Sequence, residues 1–591
     1  MGGTDNIVIG DLSKTGVTQV AIDLASSPGT TTGDGQPDTV TVNATKGSDQ
    51  ITIAGSGASV AVSGLSAQVT IDGAEAANDL LVVNGLGGNG NIDASALNAG
   101  VIKLTIDGGG GNDTIIGSQG ADMLVGGDGN DVITGGRGND VALLGSGDDT
   151  FIWNPGDGSD TVEGQAGSDT LLFNGANVSE SIDISANGER ALFTRDVANI
   201  TMDLNGVEHI RFNALSGADH ITVNDLTGTD VTQVAIDLAS TAGSTTGDGQ
   251  PDTVIVNATA GDDHISVVSN GASVVVKGLA AQVTIDGAEP SSDSLVVAGG
   301  AGDDVINASN LAANHISLTL NGGAGNDVIR GSHGNDTVAG GQGNDTASLG
   351  DGDDTFVWNP GDGNDTVDGQ AGADTLQFNG ANVSETVTIS ANGTHASFVR
   401  DVASITMDLN NVETINFNAL GSADTVTVND LSKTDVSKVN IDLGSPPASG
   451  LGDGSVDTVV INATNASDTI TVTNNNGMVT VSGLSATVSI SGFEATDHLV
   501  INGLGGDDAI TASGLGTAMQ LTANGGDGAD VLVGSAGNDT LAGGAGDDVL
   551  IGNGGVDVLD GGSGNNVVFN AFAGLQNISL AAQHANDFHF G

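Results

Sequence analysis

Short apolar segments recur along the chain at spacings of about nine or ten residues. In the most regular stretches the period is nine, as at Ile115, Leu124 and Ile133. Because side chains alternate along a strand, Ile133 is expected to point into a core while Val132 and Thr134 face outward. Short strands separated by Gly, Asn, Asp and Ser turns, without helical periodicity, predict an all-β fold.

The nine-residue units share one turn sequence. From Gly108 the chain reads GGGGNDTII, GSQGADMLV, GGDGNDVIT, GGRGNDVAL and LGSGDDTFI, and similar arrays return from Gly322 and Gly525. Glycine supplies positive φ without steric cost, and an aspartate stands at the exit of each turn. A nine-residue period with one fixed acid and one fixed apolar position is typical of a parallel β-roll that binds Ca²⁺ between its turns.

A longer repeat contains the short one. VTQVAIDLAS begins at Val17 and again at Val231, and FNGANVSE begins at Phe173 and again at Phe378. The second pair is closer together than the first by the length of one nonapeptide unit. A stack of equivalent coils tolerates the gain or loss of a whole unit, whereas a closed core does not.

The repeat copies are incomplete at both ends of the chain. A third copy starts near Asp424 and is truncated, and Met1 aligns with Leu215 inside a copy. We therefore expect the chain to be a fragment of a longer repeat protein.

These repeats divide the chain into alternating arrays and spacers. We expect one continuous β-solenoid, and the alternative is a set of compact β-sandwich-like spacers between rolls. The predicted segments are 1–107, an irregular β-solenoid with a truncated start; 108–172, the first array; 173–321, irregular β-solenoid; 322–377, the second array; 378–524, irregular β-solenoid; 525–569, the third array; and 570–591, a C-terminal tail.

Composition restricts the partners. The formal charge is −62, from 74 acidic and 12 basic residues, so we expect no nucleic-acid partner. No stretch approaches the roughly 20 apolar residues of a membrane helix, so we expect no direct membrane insertion. The chain has no cysteine, which excludes disulfides and thiolate metal sites.

The turn offers hard oxygen ligands. A carboxylate beside several backbone carbonyls suits Ca²⁺. Zn²⁺ would favour His or Cys, and Mg²⁺ demands tighter octahedral geometry. Stacked aspartates repel one another without metal, so we expect the fold to depend on calcium.

The arrays resemble the RTX family of bacterial type I secretion. The resemblance implies a right-handed parallel β-roll with two nonapeptides per turn and multiple Ca²⁺ ions bound by sixth-position aspartates and turn carbonyls. It also implies type I export, directed by an uncleaved C-terminal signal that would lie in the tail. The implied metal ligands are Asp113, Asp122, Asp131, Asp140, Asp149, Asp160, Asp169, Asp327, Asp336, Asp345, Asp354, Asp365, Asp374, Asp530, Asp539, Asp548 and Asp557. Asp160 and Asp365 are the less regular members, because the unit from Trp153 has eleven residues.

Other candidate sites have plainer explanations. The GDGxxD loops could hold additional Ca²⁺ or could be solvated turns, and their aspartates are Asp34, Asp38, Asp248, Asp252, Asp453 and Asp457. Trp153 and Trp358 are expected to pack in the core. Arg195 and its counterpart Arg400 are expected to pair with local carboxylates.

The sequence favours a secreted or cell-surface calcium-binding structural protein that folds on Ca²⁺ into a rigid elongated rod, and not an enzyme. Self-association through open strand edges, or an extracellular matrix or polysaccharide, would be its further partner. The first alternative is a calcium-binding accessory region of a larger secreted enzyme. A carbohydrate-active β-helix is the other alternative.

Overall fold

The computed structural model describes residues 2–570. Of the predicted C-terminal tail with its export signal, all but Asn570 lies outside the described residues. It divides into two compact units, residues 2–298 with 310–317 and residues 299–309 with 318–570. Both units are built from β-strands, and the described residues contain no α-helix. Two short 3₁₀ turns, Val197–Asn199 and Val402–Ser404, follow hairpins. The predicted all-β class is therefore confirmed.

The first unit stacks its strands as coils. In the regular part, Ile115 is paired in parallel with Ile133, and Leu124 with Ala142, so each strand lies beside the one two nonapeptides further on. At the eleven-residue unit this step lengthens accordingly, with Thr150 opposite Thr170. The strands of this part, in chain order, are Lys103–Gly110, Thr114–Ile116, Asp122–Asp128, Val132–Thr134, Val141–Ser146, Thr150–Trp153, Thr161–Ala166 and Thr170–Asn174.

The spacers of the first unit continue this stacking. Ser181–Asn187 is paired in parallel with His220–Val223, which argues against separate sandwich domains. The strands before the regular part are Asn6–Ile9, Gln19–Asp23, Thr39–Asn43, Gln50–Ser56, Ser59–Ser63, Gln68–Asp72, Leu80–Asn84 and Asn91–Leu97. Those after it are Ser181–Asn187, Arg190–Arg195, Ile200–Asn205, His209–Asn213, His220–Val223, Gln233–Asp237, Thr253–Asn257, His264–Asn270, Ser273–Lys277, Gln282–Asp286 and Ser294–Ala301.

The second unit repeats the design. Val328 pairs with Thr346 and Val531 with Val549, again at a step of two nonapeptides. From residue 305 the strands are Val305–Asn310, Ser317–Ala324, Val328–Arg330, Asp336–Gln342, Thr346–Asp351, Thr355–Trp358, Thr366–Ala371, Thr375–Asn379, Thr386–Asn392, His395–Arg400, Ile405–Asn410, Thr414–Asn418, Thr425–Val428, Lys438–Asp442, Thr458–Asn462, Thr469–Asn475, Met478–Ser482, Thr487–Ser491, His498–Gly505, Ala509–Gly514, Gln520–Asp527, Val531–Val533, Thr540–Ala545, Val549–Ile551, Val558–Asp560 and Val567–Phe569.

The spacers differ from the arrays in one respect that the sequence did not predict. Antiparallel strands are inserted into the parallel stack, such as Ser59–Ser63 between Gln50–Ser56 and Gln68–Asp72. Arg190–Arg195 is inserted in the same way. A tight turn such as the one containing Gly57, with φ of 67°, reverses the chain, so the strand returns beside its predecessor.

The core is a set of inward ladders. Ile115, Leu124, Ile133 and Phe151 are fully buried, whereas Val132 is exposed, as predicted. In the last coils of the first two arrays, large aromatic side chains continue the inward ladder. In the first array Trp153 stacks on Phe173, with ring centroids 4.0 Å apart. Trp358 and Phe378 repeat the stack in the second unit, which confirms the predicted core role of both tryptophans.

Candidate metal centre

Each turn of the arrays places an aspartate between two strands. In Gly126–Asp131, Gly127 and Gly129 have φ of 111° and 126°, the left-handed region that a side chain disfavours. These conformations bend the chain within a few residues, so Asp131 reaches the start of the next strand with its side chain buried. The period of the sequence therefore puts one buried carboxylate at each turn.

The aspartates of successive coils form hydrogen-bonded ladders. The backbone N–H of Asp113 donates to Oδ1 of Asp131 at 2.7 Å, and that of Asp131 donates to Oδ1 of Asp149 at 2.6 Å. The ladder on the opposite turn runs from Asp122 through Asp140 to Asp160, at 2.8 and 2.9 Å. One carboxylate oxygen thus fixes the register between neighbouring coils.

The second oxygen of most of these carboxylates is buried without a hydrogen-bond donor in the described part of the chain. It is Oδ2 in every case, and it belongs to Asp113, Asp131, Asp140, Asp149, Asp160, Asp169, Asp327, Asp345, Asp354, Asp365, Asp374, Asp530, Asp548 and Asp557. A buried anionic oxygen without a partner is strongly unfavourable, and a bound cation would compensate its charge.

Backbone carbonyls lie beside these oxygens. A Cβ atom on Gly108 would be 2.6 Å from Oδ2 of Asp113 and 2.6 Å from the carbonyl oxygen of Gly126. At Gly525 the corresponding distances are 2.2 Å to Oδ2 of Asp530 and 2.6 Å to the Gly543 carbonyl oxygen. Glycine at the first turn position therefore leaves open a space that carboxylate and carbonyl oxygens share.

The ligand set this arrangement offers is mixed. Within residues 2–570, no three or more His, Asp or Glu side chains converge into a metal site by themselves. Carbonyl oxygens would have to complete the coordination around each aspartate. Such a set of hard, mostly neutral oxygens fits Ca²⁺ and does not fit Zn²⁺.

Burial also shifts the pKa values of these carboxyls. Burial, and then the nearby Asp160 carboxylate, raises the pKa of Asp140 to about 8. Burial raises the pKa of Asp169 to about 7, with the Asp149 carboxylate contributing. In the absence of metal these groups resist ionisation at neutral pH, because burial removes water and neighbouring carboxylates repel the charge.

Comparison with protein families agrees with this geometry. The family model described as the RTX calcium-binding nonapeptide repeat matches residues 105–124, 116–151, 156–177, 296–310, 319–347, 334–357, 361–382, 524–559 and 533–568. The chain carries RTX repeats. They are calcium-binding repeats, and the matched stretches contain all fourteen of the aspartates with an unpartnered Oδ2 given above. No curated protein matches the chain.

The structure sorts the predicted RTX ligands into two groups. Fourteen of the 17 have the unpartnered Oδ2, including Asp160 and Asp365 from the irregular eleven-residue units. The other three, Asp122, Asp336 and Asp539, have both oxygens engaged by a serine of their own turn. Assignment of individual aspartates as calcium ligands remains a prediction.

Sequence reasoning missed Asp219 and Asp508, whose buried Oδ2 atoms likewise have no donor among the described residues. Asp508 is buried, its Oδ1 accepts from the N–H of Asp468 at 2.7 Å, and its Oδ2 has no donor among the described residues. It lies in GLGGDDAIT, a nonapeptide with leucine at the second position, and Leu504 adopts φ of 74° there. Asp304 lies in GGAGDDVIN, which the RTX match at 296–310 includes. Asp304 and Asp508 could have been found by allowing single units outside the arrays.

The GDGxxD loops have a structural explanation. Asp34 accepts backbone N–H groups on both oxygens, from Gly3 at 2.9 Å and Gln36 at 2.7 Å, and these bonds lower its pKa. Asp248 and Asp453 repeat this arrangement. These aspartates join a loop to the preceding coil. Asp38, Asp252 and Asp457 instead continue the carboxylate ladder, accepting from the N–H of the preceding aspartate.

In the spacers, arginine pairs with a buried ladder carboxylate. Arg195 is 5% exposed and donates from Nε to Oε1 of Glu180 at 2.8 Å, with a second bond from Nη2. Its guanidinium carbon lies 5.3 Å from the Trp153 ring centroid. Arg400, Glu385 and Trp358 repeat the arrangement, which confirms the predicted pairing of both arginines with carboxylates.

Proposed function

We propose that the chain is a secreted or cell-surface structural protein whose RTX arrays fold when they bind Ca²⁺. The observation that carries the proposal is a series of fourteen buried carboxylate oxygens that have no donor within residues 2–570, each at the same position of an RTX unit. The ligands would be the Oδ2 atoms of these aspartates with the neighbouring turn carbonyls. When bound, Ca²⁺ supplies positive charge to successive turns.

The chain's own cations cannot replace the metal. Twelve Lys and Arg residues face 74 Asp and Glu residues. The best-buried arginines, Arg195 and Arg400, are already paired with Glu180 and Glu385 in the spacers. Without calcium the arrays would hold rows of buried carboxyls at short range, so we infer that they unfold or lose packing at neutral pH.

A location outside the cell supports the same proposal. Calcium is abundant outside the cell and scarce inside it. The arrays would therefore stay unfolded inside the cell and fold after export. We propose that the folded units act as a stiff spacer or matrix element, since each coil of a repeat stack is held by its neighbours. We further propose that the chain is not itself an enzyme.

Circular dichroism with and without Ca²⁺ tests the folding proposal. We expect a strong β-signal in excess Ca²⁺, most of which is lost in excess chelator and returns when Ca²⁺ is restored. Magnesium at the same concentration serves as the control and should restore little. An equally strong β-signal in chelator would refute calcium-dependent folding. Immunodetection on intact host cells and in the culture medium tests the location.

A further inference from the structure

Three aspartates in the RTX arrays stand apart because serine occupies the second position of their turns. Ser118 donates from its backbone N–H to Oδ2 of Asp122 and from Oγ to Oδ1 at 2.9 Å. The second array repeats the pair, with Ser332 Oγ 2.9 Å from Oδ1 of Asp336. The third does so with Ser535 and Asp539, at 2.7 Å. Two hydrogen bonds from one residue thus engage both oxygens.

The backbone of these turns also differs. In array turns whose Oδ2 has no donor in the described part of the chain, the second position has positive φ, as at Gly127 and Gly136 with 111° and 86°. Even Gln165, which is not glycine, has φ of 74° there. Ser118, Ser332 and Ser535 are not among the described residues with positive φ. Their N–H groups point at the carboxylate of their own turn.

Each serine stands where a ladder begins. Asp122 donates its N–H to Oδ1 of Asp140, but its own Oδ1 accepts from Ser118 in place of an aspartate of the preceding coil. Asp336 and Asp539 likewise donate onward, to Asp354 and Asp557. In these turns the serine hydroxyl donates to Oδ1 of the aspartate. In the other turns of the ladder, the backbone N–H of an aspartate in the preceding coil makes that bond.

In the spacers, threonine at the second turn position makes a related pair of bonds, but both bonds go to one carboxylate oxygen. Thr45 donates from its N–H and its Oγ1 to Oδ2 of Asp49, both at 2.8 Å. Thr464 does the same to Asp468, at 3.0 and 2.8 Å. A hydroxyl residue at the second turn position thus recurs as a source of two neutral donors for the aspartate of its own turn.

We propose that Ser118, Ser332 and Ser535 close their turns in place of a calcium ion, so that Asp122, Asp336 and Asp539 are not calcium ligands. The proposal deepens, and rests on, the proposed binding of Ca²⁺ at the other array aspartates. In the ladder that begins at each of these aspartates, the first calcium ligand is then the next member, which is Asp140, Asp354 or Asp557. Glycine at the serine position should convert the closed turn into a binding turn, because glycine adopts positive φ freely.

Calcium counts on full-length triple variants test this inference. The variant S118G/S332G/S535G should bind about three more Ca²⁺ per chain than the wild type, because it opens one turn in each array. Its control is S118A/S332A/S535A, which keeps the backbone N–H cap and does not favour positive φ, so it should show no gain. Calcium per chain is measured by atomic emission after gel filtration in Ca²⁺ buffer, with circular dichroism to verify folding.

The aspartates are tested by a matched pair of variants. D122N/D336N/D539N should leave the calcium count unchanged, whereas D131N/D345N/D548N, one unit later in each array, should lose at least three ions, one for each removed carboxylate. Equal losses from both variants would overturn the inference, as would a serine-to-glycine count no higher than that of the alanine control. Retention of all ions by D131N/D345N/D548N would instead refute the proposed ligands. Single-array versions replace any triple variant that fails to fold.

Discussion

The backbone N–H of Asp131 donates to Oδ1 of Asp149, in the next coil of the stack, at 2.6 Å. Oδ2 of the same Asp149 is buried and has no donor among the described residues. One side chain therefore holds two coils in register with one oxygen and offers the other to a cation. Under the proposed function, stability and calcium binding are coupled in a single carboxylate, and substitutions can separate the two effects.

Asp131→Asn removes the charge and keeps an Oδ1 that can accept the N–H of Asp113. In Ca²⁺ we expect a loss of about 1–3 kcal/mol in the free energy of unfolding, because a charged ligand is lost. In chelator at neutral pH we expect no loss or a gain, because a buried charge has been removed. Urea denaturation in both conditions measures the two effects.

The control is Asp128→Asn, at an exposed position in the same turn, which should change little in either condition. Equal destabilisation of Asp131→Asn with and without Ca²⁺ would mean that the carboxylate acts only through its hydrogen bond to the neighbouring coil.

The metal-free protein should be more stable in acid than at neutral pH. Burial raises the pKa values of Asp140 to about 8 and of Asp160 to about 7, from the ordinary 3.8. In the spacers, burial raises that of Asp252 to about 7. The folded chain thus retains protons that the unfolded chain releases, so stability is fully present below about pH 4 and falls as pH rises toward about 8.

Thermal denaturation of metal-free protein across this pH range measures the effect. Because Ca²⁺ binds the deprotonated carboxylates, the stabilisation by added Ca²⁺ should grow over the same range. A metal-free melting temperature that rises from acid to neutral pH would contradict the assignment of these carboxyls as buried and uncompensated.

Gly126→Ala should block the candidate site beside Asp131. The added Cβ would lie 2.5 Å from Oδ2 of Asp131 and 2.2 Å from the carbonyl oxygen of Leu144, so those oxygens must move apart. We expect weaker calcium binding and a destabilisation of about 1–3 kcal/mol in Ca²⁺. Calcium titration followed by tryptophan fluorescence measures the weakened binding, since Trp153 is buried within the same array.

Gly110→Ala is the matched control in the same array. Its Cβ would meet no atom within 4 Å, and its φ lies outside the left-handed region. It should bind calcium like the wild type. If both alanines weaken binding equally, the effect comes from general stiffening of the turns and not from the space beside the aspartate.

Arg195→Gln should destabilise the spacer strongly even when Ca²⁺ saturates the arrays. It would leave Glu180, which is 2% exposed, without its charged partner, and removing one member of a buried ion pair costs about 3–5 kcal/mol. Arg190→Gln serves as the comparison, because that arginine and Glu163 are each 27% exposed in their side chains, and it should cost about 1 kcal/mol or less. Chemical denaturation in excess Ca²⁺ compares them. Similar losses would show that burial of the pair contributes nothing.

Much of this molecule could be predicted from its sequence. The nonapeptide period predicts the parallel coils, the inward position of Ile133 and the buried turn position of Asp131, because each depends only on residues within one unit. The tandem repetition also predicts a calcium-binding array, since the same oxygen-rich turn is presented again and again.

The sequence by itself determined the β-coil, its repeat length and the type of ion that its turns would bind. Only the tertiary structure decided which carboxylate oxygen is engaged, because Oδ1 is bound by a donor in another coil, two units away along the chain. It also distinguished Asp122 from Asp131, inserted the antiparallel strand Ser59–Ser63, and brought Arg195 onto Glu180. These depend on register and backbone direction between segments, which local periodicity does not specify.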